Sequence, residues 1–251
     1  IEAQEQLEIV RLMNSKLPEI NQNILNYFDY NEYLEWEKEG FESWTLQEFG
    51  ICYHHVGESI IIPHYNEKNE VVGIRKRTFN DYDLIRGKYM PLFLNGISYA
   101  HSLGKNLYGL NKAKKAIKAT KRAIVVESEK AVIKSYQWFK GASITVAACS
   151  FNLTTWQIYC LVIRCGIQEL IFSFDCDYIG CPETEFQLWM AKLYALAKKV
   201  WRINPNVKIT YLSDDGTYLN YKENCFDKQD KKIYQKLLSE RKELKNAEDN
   251  M

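Results

Sequence analysis

Apolar residues are distributed along this chain in two different patterns, and the change falls near residue 105. Before that point, apolar positions at 7, 9, 10 and 12–13 predict an amphipathic helix over residues 2–13. A second helix is expected over 31–39, from Asn31 as its N-cap to Gly40. Thr45-Leu-Gln-Glu48 reads as a capping box, with Gly50 as the stop. Ser59-Ile-Ile-Ile-Pro-His-Tyr65 then reads as a buried strand, Asn66–Glu70 as a turn, and Val71-Val-Gly-Ile-Arg-Lys-Arg77 as its partner strand. Together they predict a β-hairpin whose second strand ends in three cations.

Beyond residue 105, apolar strands alternate with helical stretches. Strands are expected at 123–126, 144–148, 170–174 and 207–212, and helices at 129–140, 153–164 and 184–200. Continuous apolar strands joined by helices predict a parallel sheet covered on both faces, an α/β arrangement. Residues 228–247 read as a charged helix without a wide apolar face. No internal repeat and no Gly/Ser- or Pro-rich linker interrupts the chain.

Composition narrows the class. The 251 residues are 46% hydrophobic and 26% charged, which excludes disordered and fibrous proteins. No run approaches the ~18–20 apolar residues of a membrane span, and no signal-like segment opens the chain, so no membrane partner is expected. The first residue is Ile1 rather than Met, the start expected of an excised or processed piece. Cys52, Cys149, Cys160, Cys165, Cys176, Cys181 and Cys225 form no C-x-x-C pair, and His54, His55, His64 and His101 stand at no finger-like spacing from them. They read as buried free thiols of a reducing cytoplasm, with no structural zinc. Cys176 is expected to pack rather than react, and His64 to pack or hydrogen-bond.

Net charge is +1, which taken alone argues against a polyanionic partner. Its distribution argues otherwise. Residues 1–72 carry 4 basic and 14 acidic side chains, residues 73–122 carry 12 and 2, and the rest carry 17 and 16. An acidic head therefore precedes a basic belt. Lys112, Lys114, Lys115, Lys118 and Lys121 in that belt fit an ordinary solvated helix face, whereas Arg75 and Arg77 share one face of a strand.

Active groups of a parallel sheet collect at the carboxyl ends of its strands. Here those ends carry Glu127, Asp175-Cys-Asp177 and Ser213-Asp-Asp-Gly216. One such acid is an ordinary solvated loop residue. Several converging on one edge repel one another unless divalent cations lie among them, which points to hard Mg²⁺ or Mn²⁺ and to phosphate chemistry.

These residues also carry a family resemblance. Ala123-Ile-Val-Val-Glu127 and Phe172-Ser-Phe-Asp-Cys-Asp177 resemble the strand-end Glu and D-x-D of TOPRIM domains. Upstream, Ile60-Ile-Ile-Pro-His-Tyr65, Glu70-Val-Val-Gly-Ile-Arg-Lys-Arg77, Lys88-Tyr89, Gly104-Lys-Asn-Leu-Tyr-Gly-Leu110 and Leu153-Thr154 resemble, in order, elements of the DnaG-type primase catalytic core, as does Phe41–Gly50. The set covers about residues 30–230 and points to a phage or mobile-element version. Two positions depart from the family: Ser128 and Ala131 stand where it has Gly and Asp. Tyr221-Lys-Glu-Asn-Cys-Phe-Asp-Lys228 replaces its later acidic element.

The resemblance implies a mixed α+β N-terminal subdomain over 1–104, a TOPRIM domain with a central parallel sheet over 105–220, and an acidic element with a C-terminal helix over 221–251. It implies Glu127, Asp175 and Asp177 as catalytic residues and, with Glu223 and Asp227, as ligands of two or more Mg²⁺ or Mn²⁺ ions. Arg75, Arg77, Lys88 and Lys105 would bind template or nucleotide. No aromatic ladder interleaves them, so a salt-sensitive, ionic grip is expected. The implied activity is RNA primer synthesis from ribonucleoside triphosphates on single-stranded DNA, in a bacterial cytoplasm, beside a replicative helicase bound through regions outside this chain. The alternatives are a TOPRIM nuclease, a weakened single-strand-binding module, and a phosphatase whose D-x-D resembles that of haloacid dehalogenases.

Overall fold

A computed structural model describes residues 11, 16–30 and 34–246. Apart from Arg11, the helix expected over 2–13 lies outside them, as does Asn31. The chain divides into two compact units that part between Leu103 and Gly104.

The first unit opens with a 3-10 helix, Gln22–Tyr27, and two short helices, α1 (Leu34–Lys38) and α2 (Ser43–Glu48). The expected capping box is not formed. Thr45 lies inside α2, fully buried, because its N–H already donates to the Glu42 carbonyl at 2.9 Å; Glu42 is the N-cap and makes no side-chain cap bond. Gly50 does close the helix, with φ at +65°.

Four antiparallel strands follow: β1 (Cys52–His54), β2 (Ser59–Tyr65), β3 (Val71–Thr78) and β4 (Tyr89–Pro91), in that spatial order. The expected hairpin is the central pair. Residues of β2 are buried through His64 because the strand has neighbours on both sides. Pro63, which cannot donate to a ladder, sits past Ile61, the last residue opposite β1. Asn66 shapes the turn, its Oδ1 accepting from the N–H groups of Lys68 and Glu70. The core of this unit is Leu25, Phe28, Cys52, Ile61, Val71, Ile74 and Leu92. A one-turn helix, α3 (Asp81–Leu84), bridges β3 and β4, and a small hairpin, β5 (Phe93–Leu94) with β6 (Ile97–Ser98), ends the unit.

The second unit runs α4 (Leu110–Thr120), β7 (Arg122–Val126), α5 (Glu129–Trp138), β8 (Thr145–Ala147), α6 (Thr155–Tyr159), β9 (Glu169–Phe172), α7 (Glu183–Ile203), β10 (Lys208–Tyr211), α8 (Lys231–Ser239) and β11 (Lys242–Leu244). The helix expected over 153–164 is α6 continued by a π-turn, Cys160–Arg164. Thr154 caps it with a complete capping box, worth about 1 kcal/mol. Gly109, at φ +81°, opens α4; a Cβ there would stand 2.5 Å from Val132 Cγ1.

The sheet order is β11-β10-β9-β7-β8, with β8, β7, β9 and β10 parallel. Two expectations need correction. The final helix stops at Ser239 instead of reaching 247, and Lys242–Leu244 form an antiparallel strand on β10, so the sheet is mixed. The cause is a buried carboxylate. Glu169 accepts from Arg241 Nε at 2.7 Å and Thr210 Oγ1 at 2.9 Å, and pairs with Arg122 at 2.9 Å. Arg241 thereby turns the chain back onto the sheet, where Leu244 is buried beside Ile209.

Burial pushes the Glu169 carboxyl up, but the bonds from Arg241 and Thr210 and the charge of Arg122 outweigh it and hold it below the ordinary range. Its contribution is therefore present above the unfolded Glu range and lost as pH falls through the lowered value. Glu169→Gln is expected to lower unfolding free energy at pH 7 by about 2 kcal/mol. In urea titrations the gap to wild type should close below about pH 4; equal midpoints at pH 7 would refute the role.

Candidate functional site

In the second unit the chain passes from β7 to β8 on one side and then to β9 on the other. The strand order reverses at β7/β9, and a doubly wound sheet opens its ligand crevice at that reversal, beyond the carboxyl ends of the strands. Glu127 follows β7 directly, and Asp175-Cys-Asp177 follows β9. The site acids thus flank the point where the fold opens.

Their contacts draw the two loops together. Glu127 Oε1 accepts from the Asp175 N–H at 3.1 Å. The Asp175 carbonyl accepts from Trp189 Nε1 at 3.0 Å, and Asp175 Oδ1 accepts from Asn224 Nδ2 at 2.8 Å. Asp227 Oδ2 accepts from the Asn224 N–H at 2.9 Å. Burial above all, then the Asp175 and Asp177 charges, push Glu127 up to about 7, against the Asp175 N–H bond and Lys192. Burial likewise pushes Asp175 up to about 6, reinforced by Asp227 and Asp177 and opposed by Asn224. Glu127, Asp175, Asp177 and Asp227 therefore form one electrostatically coupled group.

Other acids at this edge stand apart. Glu223 pairs with Lys228 and accepts from the Asn220 N–H at 2.8 Å; burial raises its carboxyl, but these partners bring it below its ordinary value. Asp214, counted in the sequence among the converging acids, instead caps its own loop, accepting from the N–H groups of Gly216, Tyr218 and Leu219. Asp215 bonds Thr217. Ser128, the departure beside Glu127, N-caps α5 by accepting from the Ala131 N–H. A cavity of about 760 Å³ adjoins this edge, lined among others by Tyr178, Phe186, Asp215 and Tyr218, but none of the four coupled carboxylates lines it.

Sequence reasoning missed Trp189, Lys192 and Asn224. The first two lie one helical turn apart on α7, a spacing that places them on one face. Asn224 carries no pattern of its own.

The four coupled groups offer only oxygen donors, the set that hard divalent cations take. Two carboxyls forced upward, chiefly by burial and then by one another's charge, are what a cation would relieve, so the residues fit such an ion in donor type.

The basic residues divide between the units. Arg75, Arg77 and Lys88 belong to the first, and Lys105 begins the second, half-buried. Arg75 and Arg77 lie on the same face of β3, while Lys76 between them pairs with Asp83 at 2.5 Å. Lys88 is exposed. Two aromatic rings do lie against the arginines: the Arg77 guanidinium stands 4.6 Å from the Phe79 ring and 5.8 Å from that of Tyr89, which Arg75 also covers at 5.7 Å. The thiols need a correction as well, since Cys181 is exposed and Cys149 half-buried.

No family model matches the chain. An uncharacterised SPbeta prophage-derived protein of Bacillus subtilis, YorJ, is 33% identical over 222 residues, covering 85% of this chain and 58% of that protein. The DNA primase of Synechocystis is 27% identical over 135 residues, 53% of this chain and 20% of the primase. The chain thus spans little more than half the length of the first relative and a fifth of the second. Among solved structures, a Pseudomonas aeruginosa DNA primase domain superposes with a TM-score of 0.65 at 13% identity, covering 88% of this chain and 77% of that one. A DnaG primase catalytic domain bound to single-stranded DNA gives 0.61 at 16%, covering 96% and 81%. The Escherichia coli primase catalytic core gives 0.61 at 16%, covering 93% and 80%. The chain has the mixed α/β fold of the DnaG-type primase catalytic core.

Raised carboxyls favour the neutral form in the folded state, so their sign is opposite to that of Glu169. In metal-free protein the contribution of Glu127 and Asp175 to stability should be fully present below the unfolded carboxylate range and be lost as pH rises through about 6 to 7. Between pH 4.5 and 8, Glu127→Gln should gain on the order of 2–3 kcal/mol relative to wild type. Parallel stability curves in chelator would count against the coupling.

Proposed function

We propose that this chain is a DNA-dependent RNA primer synthase, joining ribonucleoside triphosphates on a single-stranded DNA template by metal-dependent nucleotidyl transfer. The observation that carries the reading is the coupling of Glu127, Asp175, Asp177 and Asp227 at the strand-order reversal of a primase-core fold. These four would hold Mg²⁺ or Mn²⁺, two or more ions in all. Such an ion, when bound, offsets the charge that develops on the transferring phosphate and orients the attacking 3′-oxygen. The protein's own part is to hold the loops that carry these donors beside one another, through the Asp175 N–H bond to Glu127 and the two Asn224 bonds to Asp175 and Asp227. Glu223, through Lys228, orients the loop that carries Asp227 rather than adding a free carboxylate.

Arg75 and Arg77 would take phosphates of the template or the triphosphate, with Lys88 and Lys105 adding positive charge. The rings of Tyr89 and Phe79 lie within cation–π distance of the guanidinium groups and would restrict them before they bind. The Synechocystis relative is named a DNA primase, and the structural neighbours include primase domains bound to DNA. The prophage-derived relative supports a phage-encoded enzyme acting in the bacterial cytoplasm. A replicative helicase would be its partner through regions outside this chain.

Labelled ribonucleotide incorporation on single-stranded DNA with Mg²⁺ or Mn²⁺ tests the reading. Extension without strand cutting is the expected outcome; cutting without extension would make the chain a TOPRIM nuclease. Asp177→Ala should reduce incorporation at least ~100-fold with an unchanged circular dichroism spectrum, and retained activity would remove Asp177 from the site. Arg77→Ala should weaken single-strand binding and reduce the slope of log affinity against log salt by about 0.7; an unchanged slope would mean that Arg77 touches no phosphate.

A further inference from the structure

The four coupled carboxylates come from three stretches of chain, and one buried amide joins the last stretch to the second. Asn224 is 2% exposed. Its Oδ1 accepts from the Phe226 N–H at 2.8 Å. A backbone N–H can only donate, so this bond fixes which end of the amide is oxygen. The other end, Nδ2, faces Asp175 and donates to Oδ1 at 2.8 Å, while the Asn224 backbone N–H donates to Asp227 Oδ2 at 2.9 Å. One residue thus grips both carboxylates.

Neighbouring backbone bonds lay the two stretches side by side: Cys176 N–H to the Glu223 carbonyl at 3.0 Å, and Lys222 N–H to the Cys176 carbonyl at 3.2 Å. Those bonds align main chain. They do not set the rotation of the Asp175 carboxylate, whereas a donor on Oδ1 does. In a metal site, groups that hydrogen-bond the ligands orient them, and removing one typically weakens metal binding ~10- to 100-fold.

We propose that Asn224 is a positioning residue for the divalent cation. It fixes the rotation of Asp175 and keeps Asp227 in register with it. This rests on reading the four carboxylates as cation ligands. Both ends of the Asn224 amide are taken up by protein partners, so it acts through Asp175 and Asp227.

Calorimetric titration of the full chain with Mn²⁺, without nucleotide or DNA, tests the role. Asn224→Ser keeps a side-chain oxygen for the Phe226 N–H but is too short to reach Asp175. Its Mn²⁺ dissociation constant is expected to rise about tenfold, with the circular dichroism spectrum in chelator still that of a folded chain. Asn224→Gln retains the amide and should recover part of the affinity. Wild-type affinity in a folded Asn224→Ser protein overturns the positioning role alone, as does Asn224→Gln binding no tighter than Asn224→Ser. A wild-type chain with no Mn²⁺ binding that Asp175→Asn removes overturns the cation reading and this role with it.

Discussion

Carboxylates buried at adjacent strand ends bear a desolvation cost that one another's charge increases, and the loops that follow β7 and β9 are tied together by the groups that offset it. The strand order brings the ends of β7 and β9 together, and burial makes the negative charge there harder to bear. The protein lowers this cost with dipoles more than with full charges. The Asp175 N–H faces Glu127, the Asn224 amide faces Asp175, and the Asn224 N–H faces Asp227. Lys192 is the one cation among the causes that lower Glu127. A nearer Lys or Arg would satisfy the acids and leave little affinity for a divalent ion. Partial relief by N–H groups leaves the oxygen donors with negative charge still to be offset, as the proposed cation site requires.

The contrast with Glu169 is instructive. That carboxylate lies at the other end of β9, also largely buried, but it is held by two arginines and a threonine. Its charge is fully answered, so it serves as a fastening for the C-terminal segment. The same strand therefore begins with an acid whose charge is neutralised and leads into acids whose charge is not. The first kind stabilises the fold at neutral pH, whereas the second costs stability there, as functional sites commonly do.

What the sequence made legible follows from how far each signal reaches. Continuous apolar runs such as Ile124–Val126 and Leu170–Phe172, mostly β-branched or aromatic and alternating with helical stretches, read as covered strands, and the acids that follow them fall at the crevice by topology. The β2–β3 hairpin was equally plain, because its turn chemistry is local. Cys52–His54, Tyr89–Pro91 and Lys242–Leu244 were not legible as strands: each is three residues long, and pairing with a neighbour, not composition, makes it a strand. Thr45–Glu48 shows the converse failure, a correct local motif overridden by a helix that starts two residues earlier. Asn224, Trp189 and Tyr89 act through partners more than ten residues away, which no spacing rule reaches.

The outermost parallel strands of the second sheet, β10 and β8, are both covered by further chain. β11 pairs along β10, and at the opposite margin Tyr108 exchanges two backbone bonds with Ala147 of β8, each 3.0 Å long. Open strand margins invite pairing with other chains, and with it aggregation. Here the five-residue reach from Glu240 to Leu244 moves the margin from β10 to a three-residue strand whose Lys242 and Glu243 are exposed, a short charged edge that resists pairing. Any attempt to isolate this unit for crystallography or engineering should keep those residues, because trimming the chain after α8 would turn β10 into an adhesive ribbon.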